Sequence, residues 1–300
     1  MPMKDGVTPA EVFFDRRRFV KALGLGLAAV ATGADAVFAN GRNITPQKAA
    51  ASYNHFSEFL PGRGGPVWKY VDSFETEPWR VLVDGECHEP RTFDLDELRS
   101  FELVERVYHF RCVERWAMNV PWTGFPLRRL LERVEPRSSA RYVRFVSALR
   151  PDEMPGVRDA PYLPWPYREG LRLDEAMHDL SFLATGVYGV PLPRQHGAPL
   201  RLVVPWKYGF KSVKSIVRIE LTRDEPETFW RMKPHEYGFL ANVNGNIPHP
   251  RWSQELSYWL DSGETFPTPL FNGYESEVSS LYPDEPRSRT RALRPGETAR

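Results

Sequence analysis

Arg111-Cys112-Val113-Glu114-Arg115 is the stretch of this 300-residue chain whose residue types and spacing point to chemistry. A thiolate is a soft ligand for a transition metal and also a nucleophile. Flanking cations favour it over the thiol, and Arg111 and Arg115 flank this sulfur in sequence. A lone cysteine is equally a small buried hydrophobe, and the residues by themselves leave both readings open. Cys87 is the second cysteine, so an exported chain also admits a Cys87–Cys112 bridge. The histidines form no His-Glu-x-x-His and there is no Cys-x-x-Cys, so zinc has no support. A second candidate is the basic, aromatic segment Trp206 to Lys214. There Gly209 allows backbone N–H groups to turn toward an anion, and Lys207, Lys211 and Lys214 supply charge. A solvated basic hairpin over buried rings explains the same residues.

The elements that must position these groups are mostly strands. Leu103 to Arg111 mixes β-branched, aromatic and charged residues as a strand does, and Cys112 falls where it gives way to a loop. Pro121-Trp122-Thr123-Gly124-Phe125-Pro126 is expected to stay irregular. Trp79–Val83 ends at the turn Asp84-Gly85, and Arg141–Leu149, Ser181–Tyr188, Leu200–Val204 and Val213–Leu221 are further strands. Asp94 caps a short helix with Glu97 three residues on. Pro126 opens another through Arg133, burying Leu127, Leu130 and Leu131. Leu173 to His178 offers one or two turns. The Pro-rich loop 151–166 and the 116–126 segment are expected to frame a pocket mouth. Ser52 to Phe59 reads as an arm laying its rings on the core.

Twenty-eight Pro, with 41% apolar residues and nine Trp, argue for a loop-rich β or α+β protein with an ample core. A net charge of +1 gives no reason to expect nucleic acid as a partner. Residues 1–39 read as an export signal: Arg16, Arg17 and Arg18, an apolar run from Ala22 to Val30 too short to span a bilayer, and Val37-Phe38-Ala39 for cleavage near Ala39. Asp15-Arg16-Arg17-Arg18-Phe19-Val20-Lys21 resembles the twin-arginine motif, which carries folded proteins. Residues 283–300, rich in Arg, Pro, Glu and Ser, are expected to be a disordered tail.

Arg111-Cys112-Val113-Glu114 with Trp116 and Val120 to Leu127 resembles the cofactor segment of the sulfite-oxidase-type molybdoenzymes. Pro205 to Lys211, Glu236-Tyr237-Gly238-Phe239 and His249 to Gln254 extend the resemblance, which is nearer to the periplasmic enzymes that reduce protein-bound methionine sulfoxide. It implies a single α+β, β-rich domain over residues 40–282, monomeric, holding Mo-molybdopterin with Cys112 as the metal ligand and catalytic centre. Matched position by position, Asn54, Ser57, Glu58, Ser147, His196, Arg201, Ser212, Val213 and Lys214 are then cofactor contacts. Ser147 stands where Thr is usual, Ser212 where Gly is usual and His196 where Asn is usual. His196 would add a group titrating near neutral pH. Arg111, Glu114 and Arg115 are candidates to tune the metal. The resemblance further implies a membrane haem b partner drawing on quinol, and oxidised periplasmic proteins as substrates. Sulfite oxidation, or a metal-free binding protein on the same fold, are the alternatives. The short chain after Leu221 leaves little room for the dimerisation domain usual in sulfite oxidases.

Overall fold

The computed structural model describes residues 43–289, so the signal expected over 1–39 lies outside the described residues. Twelve strands organise the described chain: β1 (Arg80–Gly85), β2 (Arg91–Asp94), β3 (Val104–Arg111), β4 (Trp116–Pro126), β5 (Tyr142–Ser147), β6 (Arg168–Arg172), β7 (Phe182–Val187), β8 (Val190–Pro191), β9 (Arg201–Val203), β10 (Ile216–Thr222), β11 (Leu256–Trp259) and β12 (Thr265–Pro267). They form two sheets. One has five strands in the order β2-β1-β10-β5-β6; the other has seven, with β12-β11-β4-β7-β8 in line, β3 paired to β4 and β9 to β7. Only β1–β10 and β11–β4 run parallel among these pairs. The helices are short, and none is long and apolar enough to cross a membrane among the described residues. The architecture is the α+β, β-rich domain expected from the sequence.

Period-two patterning sets the five-stranded sheet. Val143 and Phe145 of β5 are fully buried between half-exposed neighbours, as are Val81 and Val83 of β1 between more exposed ones. Each such side chain stabilises the fold by roughly 1.5–3 kcal/mol. The helix Leu95–Arg99 begins at the Asp94–Glu97 capping box, and Leu127–Leu131 buries Leu127, Leu130 and Leu131. Two hydrophobic clusters result. One holds Phe145, Leu130, Ile219 and Cys87; the other gathers Tyr108, Phe110, Cys112, Trp116 and Trp122 around β3 and β4.

The segment 116–126 is not the expected loop. It is an eleven-residue strand, β4, almost wholly buried between β3 and β7. Its two prolines are tolerated by position. In a strand a residue's N and C=O point to the same side, and the Pro121 carbonyl accepts from the Tyr188 N–H. Its ring nitrogen therefore faces the end of β7 rather than β3, and no bond of the β3 ladder is lost. Pro126 is the final residue. Between them the β7 register shifts at Thr123/Gly124, and a Cβ on Gly124 would run into the Leu183 carbonyl oxygen. Gly124→Ala is therefore expected to destabilise the protein by about 2 kcal/mol or more. Urea unfolding measures this, and an unchanged midpoint would mean the bulge relaxes freely.

Two more boundaries differ from expectation. The Leu256–Trp259 and Thr265–Pro267 strands carried no period-two signal strong enough to be read. The tail expected from Pro283 is held as far as Arg289. The Glu285 carboxylate accepts from Asn242 (2.9 Å) and Asn244 (2.8 Å), and Arg289 pairs with Glu255 at 2.7 Å. These polar anchors leave no mark in a composition-based reading. Residues 290–300 lie outside the described residues.

Candidate active site

Cys112 is the first residue past β3, at the start of the tight turn that leads into β4. Its N–H donates to the Trp116 carbonyl and its carbonyl accepts from the Arg115 N–H, both at 2.9 Å. Arg115 closes the turn with φ of 81°, a conformation costly for a non-glycine residue. The rear of the turn is pinned. The fully buried Arg111 guanidinium donates to the Cys112 carbonyl, to Ser257 Oγ (2.7 Å) and to Gln254 Oε1 (3.1 Å), while Gln254 Nε2 donates to the Val113 carbonyl at 2.8 Å. Arg115 Nε donates to the Leu256 carbonyl (3.0 Å). Neither arginine hydrogen-bonds the sulfur: their hydrogen bonds hold its loop, and Arg111 acts on the sulfur only through space.

The sulfur has other company. It accepts from the Glu114 N–H at 3.4 Å, and His55 Nδ1 lies 3.6 Å away. The His55 ring stacks on Trp116, with planes 9° apart, and its Nε2 faces Glu114 Oε2 at 3.3 Å. That last pair is misaligned for a hydrogen bond, so its attraction is chiefly Coulombic. Burial opposes charging of His55, but Cys112 and Glu114 outweigh it and push the imidazole up to about 10. The protonated His55 ring, 3.3 Å away, in turn holds Glu114 below the usual carboxylate range, against the effect of burial. His55 was not among the residues expected from sequence.

Cys112 opens into a partly enclosed cleft. Asn54, Ser57, Glu58, His196, Arg201, Ser212 and Lys214 line it with Cys112, drawn from the chain before β1, the turn before β9, β9 itself and the segment before β10. Two expected residues stand back from it. The Ser147 hydroxyl donates to Glu58 Oε1 at 2.5 Å, so it acts on the cleft through that carboxylate. Val213 is turned into the main core, its N–H donating to Lys211 and its carbonyl accepting from Leu202. Loop 151–166 does not form the rim. Gly156 packs against the carbonyls of Ser57 and Glu58, and the Val157 N–H donates to Glu58 (3.1 Å), which fixes that segment from behind.

The basic segment divides in two. Lys207 pairs with Glu175 and Lys211 with Glu169, each at 2.7 Å and fully buried, so neither lends charge to the cleft. Gly209 is required because the Phe110 ring lies where a Cβ would be; its backbone makes no left-handed turn. Lys214 and Arg201 are different. Lys214 Nζ donates to the His55 carbonyl (2.7 Å), and Arg201 donates to the carbonyls of His196 (2.9 Å), Leu202 (3.3 Å) and Ser212 (3.5 Å). Burial presses both below their ordinary range, Lys214 to about 7 with further repulsion from Arg201. A guanidinium stays charged regardless. His196 is held at about 3 by burial and by these two cations, so it is a neutral ring and not the near-neutral titrating group expected. Its Nδ1 accepts from Asn54 Nδ2 (3.5 Å), and Asn54 Oδ1 is buried without a partner.

Two desolvated cations whose hydrogen bonds go only to carbonyls call for an anion, since isolated buried charge is costly. A phosphate between Arg201 and Lys214, a polar ring system beside Asn54 and a metal at Cys112 Sγ meet each unmet demand. The donor set therefore fits a molybdopterin.

Glu58 makes a testable contribution. Burial raises its carboxyl to about 6, against the lowering effect of the Ser147 hydroxyl and Lys214. The native state thus holds a proton that the unfolded chain releases at lower pH. The associated stability is present below about pH 4.5 and lost as pH rises through 6. In the cofactor-free protein, Glu58→Gln should flatten the fall in stability across this window. An unchanged slope in urea titrations would contradict it.

The sequence agrees with this geometry. The model of the oxidoreductase molybdopterin binding domain matches residues 68–230, and the chain belongs to that family of molybdopterin-binding oxidoreductases. The protein-methionine-sulfoxide reductase catalytic subunit MsrP of Pseudomonas syringae pv. tomato is 53% identical over 246 residues, covering 80% of this chain and 73% of that one. The solved structure of the sulfane dehydrogenase SoxCD from Paracoccus pantotrophus aligns with a TM-score of 0.47 at 16% identity, over 70% of this chain and 60% of that one, too distant to bear on function.

Proposed function

We propose that this chain is the catalytic subunit of a molybdenum enzyme that reduces methionine sulfoxide in exported proteins. The observation that carries the reading is the 53% identity to a named protein-methionine-sulfoxide reductase over 80% of this chain. When bound, the cofactor supplies two-electron removal of the sulfoxide oxygen, which with two protons leaves as water and restores an apolar side chain. The protein's own residues do the holding. Cys112 Sγ takes the metal, Arg201 and Lys214 take the phosphate, and Asn54 and the Ser147–Glu58 pair address the pterin. His55 and Glu114 keep a proton beside the reacting centre. In the test, a reduced viologen is supplied to the purified enzyme with an oxidised, unfolded protein, and separately sulfite is offered with an oxidant. Loss of protein-bound sulfoxide by mass spectrometry supports the reading. Fast sulfite oxidation without that loss favours the sulfite-oxidase alternative.

The electron donor belongs to the same proposal. It is a membrane haem b subunit fed by quinol, acting on a monomeric catalytic subunit in the periplasm. The twin-arginine-like stretch supports export in the folded, cofactor-loaded state. Replacing Arg16 and Arg17 with Lys should leave an uncleaved precursor in the cytoplasm, as read by fractionation. Normal periplasmic accumulation would contradict that route.

A further inference from the structure

The cleft lining is of two kinds. Asn54, His55 and Glu114 are polar; Phe210, Trp230 and Tyr237 contribute aromatic rings. The Trp230 and Tyr237 rings are stacked, centroids 4.5 Å apart and planes 18° apart, and Phe210 meets Tyr237 edge-on at 5.0 Å. Polar bonds behind the rings fix them. Trp230 Nε1 donates to the Tyr167 hydroxyl (3.0 Å), which donates to the Phe210 carbonyl (2.7 Å). Arg251 Nη2 donates to the Tyr237 hydroxyl at 3.1 Å; the same guanidinium pairs with Glu236 and lies 4.1 Å over the Trp252 ring. This wall faces the cleft, and no step assigned to the cofactor-holding residues uses it.

Methionine sulfoxide is itself two-sided, with one strongly polar oxygen on a sulfur that carries a methyl and a methylene. Sulfur and its neighbouring carbons pack favourably on aromatic rings, by about 0.3–1.5 kcal/mol per contact. We propose that Tyr237 and Trp230 form the specificity wall of the site, receiving the methyl and methylene groups of the sulfoxide side chain so that its oxygen is turned toward Cys112. The inference rests on the reductase reading and names what selects a methionine side chain. It also separates such a substrate from sulfite, which has no apolar part to lay on the rings.

Tyr237→Leu keeps an apolar side chain but removes the ring; Tyr237→Phe keeps the ring and loses only the hydroxyl. Each is loaded with cofactor and compared with wild type on an unstructured peptide carrying one methionine sulfoxide and on dimethyl sulfoxide, which lacks the longer side chain. Expected for Tyr237→Leu is a rise in peptide KM of about tenfold with a much smaller change in kcat, and a smaller change toward dimethyl sulfoxide. Tyr237→Phe should restore most of the peptide KM. Independently of turnover, a fluorescein-labelled peptide bearing methionine sulfone, which is not reduced, should bind Tyr237→Leu more weakly than Tyr237→Phe by fluorescence anisotropy. Equal KM and equal anisotropy titrations for the two variants would overturn the wall, as would a Tyr237→Phe defect as large as that of Tyr237→Leu. If Tyr237→Leu does not fold, Tyr237→Phe against wild type decides alone: a peptide KM raised about tenfold with the ring still in place would overturn the wall. A wild-type enzyme that reduces dimethyl sulfoxide but no peptide-bound sulfoxide would instead refute the reductase reading beneath it.

Discussion

Cys112→Ser yields a folded protein with almost no turnover. The turn that carries the sulfur is built from backbone bonds to Trp116 and Arg115 and from the Arg111–Gln254 clamp, all of which serine leaves in place. What is lost is the soft anionic ligand, since a serine hydroxyl is hard and stays protonated at neutral pH. A fall in kcat on the order of 10³ or more, roughly 4 kcal/mol in the barrier, is expected with a viologen donor and a sulfoxide substrate. Activity within a factor of about ten of wild type would contradict it. Cys87→Ser is the control. Cys87 sits in a different hydrophobic cluster and both thiols are free, so that change should cost stability and spare turnover.

The second large effect is on cofactor retention. Replacing Arg201 with Gln and Lys214 with Met removes two of the cations that line the cleft, the pair assigned to the phosphate. Charged hydrogen bonds contribute about 1.5–3 kcal/mol each, so the pair should weaken cofactor binding by on the order of 10²–10⁴. Molybdenum per protein chain, by elemental mass spectrometry, should drop accordingly. The same change relieves two buried, mutually repelling charges, so the cofactor-free double variant should unfold at higher urea than the cofactor-free parent. A purely structural role predicts the reverse: unchanged molybdenum, or a cofactor-free variant that is less stable.

Much of the fold was legible because period-two runs such as 142–147 and the Asp94–Glu97 box are local signals. The segment 116–126 was not, because proline normally breaks strands, and its tolerance at Pro121 depends on where β7 ends. Cys112 could be singled out, and the resemblance supplied residues that the cleft does assemble, from Asn54 to Lys214. Charge was harder to read. Lys207, Lys211 and Lys214 are alike in sequence, yet two are neutralised by Glu175 and Glu169, carboxylates more than thirty positions away. His55 and Tyr237 escaped for a related reason. Each looks like a ring in an aromatic run, and only its orientation toward the sulfur or the cleft gives it a role.

Molybdenum K-edge absorption on the purified enzyme and on Cys112→Ser tests the central claim most directly. A Cys112-ligated centre predicts that the variant, wherever it retains metal, loses one sulfur scatterer from the first coordination sphere while the pterin sulfurs persist. An identical sulfur shell in both proteins would show that Cys112 does not hold the metal.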